Sequence, residues 1–245
     1  MTELSWLTPH WPAPAGVRAA ATLRRGGVSA PPYDSLNLAL HVGDDPAAVQ
    51  HNRDRLCATL ALPSEPLWLD QVHGTNVVVA ERTTGVVQAD AAVSFESGRV
   101  CVVMTADCLP VLFCSRDGTR IGAAHTGWRG LVGGVLEKTV AALGGSRDLM
   151  AWLGPAIETD AFEVGPEVRD QFLARDPHAA VAFAANERGR FQADLYELAR
   201  GALQRLGIDA TYGGGWRCYN DRARFFSHRR GAPTGRMATL IWRTA

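Results

Sequence analysis

The sequence predicts an α+β fold in one domain, 1–245, with mixed β-sheets covered by helices. Three observations carry this expectation. Strand-like stretches outnumber helical ones. Four of them crowd between residues 91 and 124 instead of alternating with helices, which argues against a doubly wound sheet or a β/α barrel. No internal repeat, low-complexity tract or linker composition divides the chain; "YGGGWR" (212–217) is too short to separate domains and reads as a turn or a close backbone approach.

Taken in order, the first strand falls at 17–23. The segment 43–62, "GDDPAAVQHNRDRLCATLAL", offers Asp45 as N-cap and Pro46 at the first helical position, followed by Val49, Leu56 and Leu60. Strands follow at 76–80, 91–95, 100–104, 111–114 and 120–124, each an apolar or β-branched run bounded by turn formers. Residues 125–143 then place Val132, Val135, Leu136, Thr139, Val140 and Leu143 on one helical face. Gly133 and Gly134 inside that stripe each cost about 1 kcal/mol against Ala, so close packing is expected there. A strand at 151–153 precedes two helices, one starting at Pro166 and one capped by Asp194. The second carries a stripe of Leu195, Leu198, Ala199, Ala202, Leu203 and Leu206 and stops at Gly207. The last strand is 237–242.

Composition narrows the function classes. Lys+Arg and Asp+Glu balance at 25 each, so no global field recruits nucleic acid or an anionic membrane. No apolar run reaches the ~18 residues of a membrane span. The start, "MTELSWLTPHWPAP", lacks the basic and apolar regions of a signal peptide. Five cysteines (57, 101, 108, 114 and 218) without a tight spacing suggest free thiols in a reducing compartment, so the expected location is cytoplasmic. Near-zero net charge without heptads gives no reason for an obligate oligomer, and a monomer is expected.

Three residues suggest chemistry. His73 lies in "WLDQVHGTNVVVA" at a turn before a strand, Cys108 lies between two strands, and His125 ends a strand just before a helix. Each has a bland explanation, a core thiol for Cys108 and a surface or capping group for either His. Ends of strands and starts of helices, however, are where rigid scaffolds present reactive groups. Two His and one Cys form the ligand set of a zinc site with an open position, and equally the parts of a Cys–His nucleophilic pair. The residues alone leave both readings open.

The surrounding words are more specific. "SLNLALHVGDDPAAVQHNRDRL", "WLDQVHGTNVV", "QADAAVS", "TADCLPVLF", "AAHTGWRGLVGGVLEKTV", "WLGPAIETDAFEVGPEV" and "FFSHRRGAPTGRMATLIW" occur in this order and span nearly the whole chain. Together they resemble the bacterial YfiH/YlmD-type family. Its members have carried the labels multicopper polyphenol oxidase, laccase-domain protein, peptidoglycan editing factor and purine nucleoside phosphorylase. The resemblance implies a single α+β domain with two mixed sheets between helical layers, and a zinc-type site of His73, Cys108 and His125. One departure is His228 in "FFSHRRG", where the family pattern has Tyr; a role resting on a phenol there is lost, while the three donors stand.

A multicopper oxidase needs a trinuclear cluster held by many His, usually in H-x-H steps. This chain has seven His and no H-x-H, so zinc is favoured over copper. What the resemblance then implies is a zinc-dependent purine nucleoside phosphorylase. Its substrates would be adenosine, inosine, and by extension guanosine and 5′-methylthioadenosine, which with phosphate give free base and ribose 1-phosphate; adenosine deaminase activity would accompany it. The alternative is a hydrolase that edits peptidoglycan precursors with Cys108 as nucleophile. Arg129, in the first turn after His125, is the leading candidate for phosphate, with Arg53, Arg229 and Arg230 behind it. Asn37 and Gln71 carry amides suited to purine or ribose edges. Asp107 is expected to orient a ligating His or act as a base. The expected partners are thus nucleosides and phosphate, with no nucleic acid and no membrane.

Overall fold

A computed structural model describes residues 3–244. The chain runs β1 (Trp6–Leu7), β2 (Val17–Thr22), α1 (Pro46–Thr59), β3 (Val77–Val79), β4 (Ala91–Ser94), β5 (Val100–Thr105), β6 (Leu109–Ser115) and β7 (Ile121–Thr126). It continues through α2 (Trp128–Gly133), α3 (Val135–Ala142), β8 (Leu149–Leu153), β9 (Glu163–Val164), α4 (Pro166–Arg175), β10 (Phe183–Ala185), β11 (Phe191–Ala193), α5 (Leu195–Arg205), β12 (Thr211–Gly213) and β13 (Met237–Arg243). No helix among the described residues is long and apolar enough to cross a membrane.

The α+β class holds, with one correction to its sheets. Two large sheets form, ordered β1-β2-β13-β5 and β12-β8-β6-β7-β4-β3, together with a small third sheet, β10-β11-β9. Only the six-stranded sheet is mixed, through its parallel pairs β12–β8 and β3–β4. The other large sheet is antiparallel throughout. Each parallel pair joins strands linked by a long connection, as parallel geometry requires.

Strand period explains the layering. On β5 and β13, Cys101, Val103 and Ile241 face inward and meet Ala92, Leu112, Ile121, Ala123, Met150 and Trp152 of the six-stranded sheet. Their neighbours Val100, Val102, Met104, Leu240 and Trp242 face the other way, onto Leu56 of α1 and onto Leu36 and Leu38. On the far side, Val111, Phe113, Ala151 and Leu153 pack against Leu136 and Val140 of α3 and Leu198 and Leu203 of α5. Both faces of each strand are therefore covered, which is why these strands read as continuous apolar runs. Truncating a central residue such as Leu112 to Ala costs about 2–5 kcal/mol.

The helix caps read from sequence are present. Asp45 accepts from the Ala47 N–H and Asp194 from the Glu197 N–H. The single helix expected over 125–143 is instead two, because Gly134 adopts φ +96° between α2 and α3. A left-handed residue resets the helix axis while leaving the apolar spacing intact, so periodicity alone does not register the break. Gly133 does pack closely, since a Cβ there would lie 2.9 Å from Thr75 Cγ2. In 212–217, Tyr212 and Gly213 belong to β12, and a Cβ at Gly213 would lie 2.4 Å from the Leu153 carbonyl oxygen.

One connection positions the chemistry. β5 is an edge strand of the four-stranded sheet and β6 an interior strand of the six-stranded one, so Ala106–Asp107–Cys108 crosses from one layer to the other.

Candidate active site

The antiparallel register of β6 and β7 pairs Pro110 with His125. Cys108, just before β6, therefore falls beside the end of β7. His73 arrives from the loop ahead of β3, and the buried carboxylate of Asp90 holds that loop. Asp90 Oδ1 accepts the His73 N–H at 2.9 Å, while Oδ2 accepts those of Gly74 at 2.6 Å and Val72 at 3.3 Å. These bonds fix His73 at φ +59°, a conformation that residues with a Cβ rarely adopt.

The outcome is a compact trio. The donor atoms of His73, Cys108 and His125 lie within 4.8 Å of one another. Cys108 Sγ is 3.8 Å from His73 Nε2, and the two imidazole centroids are 4.8 Å apart. His125 Nδ1 lies 2.8 Å from Asp90 Oδ1, so Nδ1 carries the proton and Nε2 is left as the donor atom. His125 and Asp90 are buried, Cys108 is partly exposed and His73 is exposed, which leaves one side open. Gly127 makes the room: a Cβ there would lie 2.9 Å from His73 Cδ2 and 3.0 Å from Cys108 Sγ.

The trio fits a tetrahedral ion. Metal–nitrogen and metal–sulfur bonds of zinc length span donor pairs of about 3.3–3.6 Å, so donors that lie within 4.8 Å of one another would draw together around the ion. Without metal, the same groups polarise each other. Burial raises the Cys108 thiol, but His125 and His73 outweigh it and bring the pKa to about 6. Burial lowers His125, but the Cys108 thiolate and Asp90 outweigh it and bring its pKa to about 9.

The trio opens into a cavity of about 370 Å³ whose lining includes Arg129, Arg229, Arg236, His41 and His228, with Trp128 and Phe162 as aromatic walls. Asp107, at φ +86°, also lines it. Its Oδ2 accepts the Arg229 N–H at 2.6 Å, its Oδ1 is buried without a partner, and burial raises its pKa. A larger cavity, about 700 Å³, lies between α2, α4 and α5, but its mostly apolar walls contain none of the three donors.

The other residues singled out from sequence are spread more widely. Gln71 lines the site cavity, yet its amide is bound both ways to the Met104 backbone, at 2.8 and 2.7 Å. Asn37 is fully buried, donating to the Ala39 carbonyl and Asp44 and accepting from the Ala39 and Arg236 N–H groups. Arg53 donates to the Leu38 carbonyl and stacks 3.9 Å from the Trp68 ring, outside the cavity lining. Arg230 is tied to the carbonyls of Cys218, Tyr219 and Phe225. Arg129 reaches the cavity, but the helix behind it, α2, is only 6 residues long and offers little dipole. Asp107 does not orient a ligand His; Asp90 does. Asp90, Gly127 and Arg236 carry no motif of their own in the sequence, although "QADAAVS" sets an acid directly ahead of an apolar strand.

Fold and site define a class: a layered α+β protein with a His–Cys–His trio able to hold a metal ion at the junction of its sheets. The chain belongs to the multi-copper polyphenol oxidoreductase laccase family, whose model matches residues 18–244. A Pseudomonas aeruginosa protein named purine nucleoside phosphorylase is 56% identical over 97% of this chain and 98% of its own. Purine nucleoside phosphorylase YfiH of Escherichia coli is 51% identical over 96% of this chain and 98% of its own. Among solved structures, a Neisseria meningitidis protein of the DUF152 family model superposes with TM-score 0.94 at 51% identity, covering 98% of this chain and 99% of that one. YlmD from Geobacillus stearothermophilus gives TM-score 0.88 at 31% identity, covering 94% and 93%.

Proposed function

We propose that this chain is a purine nucleoside phosphorylase with adenosine deaminase activity, acting as a cytoplasmic single-domain monomer. The observation that carries the reading is that one cavity joins a three-donor trio, three arginines and two aromatic faces. The names of its relatives point the same way. In phosphorolysis, a phosphate oxygen bonds to C1′ while the C1′–N9 bond breaks; its electron pair leaves with the base, which takes a proton. The guanidinium groups bind and orient the anion. Trp128 and Phe162 offer stacking surfaces for the purine and keep water from the sugar.

Zinc held by His73, Cys108 and His125 would supply Lewis acidity toward water, the chemistry that deamination at the purine 6-position needs. Zinc suits the donors better than a multicopper centre. Among the described residues this is the group of three or more such side chains that forms, too few for a mononuclear and a trinuclear site together. The free state of the described cysteines supports a reducing compartment.

The test is purified protein with adenosine and phosphate, followed by chromatography of the bases. Phosphate-dependent adenine, and hypoxanthine from deamination, are expected. Neither base above a Cys108→Ala control would sink the reading.

A second reading rests on the Cys108–His125–Asp90 series, the order of groups in a nucleophilic triad. It makes the chain a Cys-dependent hydrolase that edits peptidoglycan precursors. Hydrolysis that survives chelation but not thiol alkylation would select it over the first.

A further inference from the structure

The cavity's arginines differ in what already occupies them. The Arg129 guanidinium lies over the Trp128 ring, 4.5 Å from its centroid. Arg229 gives Nη1 to the Glu163 carbonyl at 3.0 Å and also walls a second hollow beside the carboxylates of Asp160 and Glu163. Arg236 has neither an aromatic partner nor a carboxylate partner among the described residues. Its Nη1 donates to the Thr234 and Gly235 carbonyls at 2.8 and 3.2 Å, which leaves Nε and Nη2 without protein acceptors.

The backbone behind it is fixed on several sides. Its N–H donates to Asn37 Oδ1 at 3.0 Å, and the next residue, Met237, pairs with Thr105 in the β13–β5 register. Gly235 is pressed so closely that a Cβ would lie 2.7 Å from Phe226 Cζ and 3.0 Å from Asn37 Cβ. Arg236 is therefore held opposite the crossover that carries Asp107 and Cys108, half-buried and lining the cavity. A guanidinium in that state keeps its charge and presents two donors in a fixed plane, the arrangement that matches two oxygens of a phosphate. Holding it in place beforehand removes much of the ordering cost of binding.

We infer that Arg236 anchors the phosphate co-substrate through Nε and Nη2, with Arg129 as the second guanidinium in the same cavity. The inference rests on the phosphorylase reading and assigns its anion subsite. Asn37, expected from sequence to touch substrate, then acts indirectly by positioning Arg236.

The experiment compares wild type with Arg236→Gln and Arg236→Lys; the lysine variant keeps charge while losing the planar fork. Initial rates are taken with phosphate and adenosine varied separately, zinc per chain is measured, and inorganic phosphate is titrated by calorimetry. In Arg236→Gln the KM for phosphate should rise about 10-fold or more, and in Arg236→Lys by less. The KM for adenosine should stay within about twofold and zinc content should hold. Unchanged phosphate KM and Kd in Arg236→Gln would overturn the assignment, as would an equal rise for both substrates. If wild type releases no base in a phosphate-dependent way, the phosphorylase reading fails by itself. Calorimetry then decides the anion site alone: phosphate bound by wild type and lost in Arg236→Gln upholds it, and equal binding overturns it.

Discussion

Asp90 Oδ1 lies 2.8 Å from His125 Nδ1 and at the same time takes the backbone N–H of His73 at 2.9 Å. One oxygen thus sets the tautomer of one donor and the loop position of another. Asp90→Asn keeps the shape but turns an amide N–H toward backbone donors. Zinc affinity, read by chelator competition, should fall about 10- to 100-fold while the fold persists. An unaltered affinity would show that Asp90 serves only the loop.

Gly127 has an ordinary φ of −67°, so space alone dictates its identity. Gly127→Ala should displace His73 or Cys108 by several tenths of an ångström and lower zinc per chain without loss of the helical circular dichroism signal. Gly231, where an added Cβ meets nothing within 4 Å, provides the control, and its Ala variant should bind metal like wild type. Equal zinc content in both variants would refute the steric argument.

In the metal-free protein the pKa values of Cys108 and His125 cross. His125, raised from 6.5 to about 9, stabilises fully below pH 6.5, and this contribution fades as pH rises through about 9. Cys108, lowered from 9.0 to about 6, stabilises above pH 9.0, and this contribution is lost as pH falls through about 6. The thiolate–imidazolium pair is therefore populated between those limits. Alkylation of Cys108 by iodoacetamide, followed by mass spectrometry, should half-saturate near pH 6 in metal-free protein and be suppressed by zinc. Cys57, which burial first and Glu65 second push up to about 12, should stay unmodified under the same conditions. A Cys108 midpoint above pH 8 would refute the pairing.

Gly134 at φ +96° separates α2 from α3, and a Cβ there would also come within 3.3 Å of Arg175 Nη1. Gly134→Ala should cost about 1–2 kcal/mol, lowering Tm by roughly 2–8 °C. A Tm within 1 °C of wild type would mean that the turn relaxes at little cost.

Much of this was legible in the sequence because the signals are local. Asp45 with Pro46 and Asp194 ahead of a leucine stripe each announce a helix start within a few residues. Cys108 and His125 stand at ends of adjacent strands, so a hairpin was enough to bring them together. Other features depend on partners far along the chain. Asp90 is read as a site residue only once β4 is seen beside β7 and the loop of His73. Arg236 reaches the cavity through the register of β13 on β5, and Asn37 matters because of Arg236. The two-residue strands β1 and β9 exist by pairing and carry too few residues to show a period.

The order of these groups along the chain has a consequence for biogenesis. His73, Asp90, Cys108, His125 and Gly127 all fall between the loop ahead of β3 and the start of α2, whereas Arg229 and Arg236 come near the C-terminal strand β13. A ribosome therefore delivers every donor of the trio long before it delivers Arg236. β13 then fills the gap between β2 and β5 and brings Arg236 opposite the crossover. A nascent chain stalled ahead of that strand would possess the three donors and Arg129 without Arg236, so the last part of the cavity wall to be made is the one that β13 carries into place.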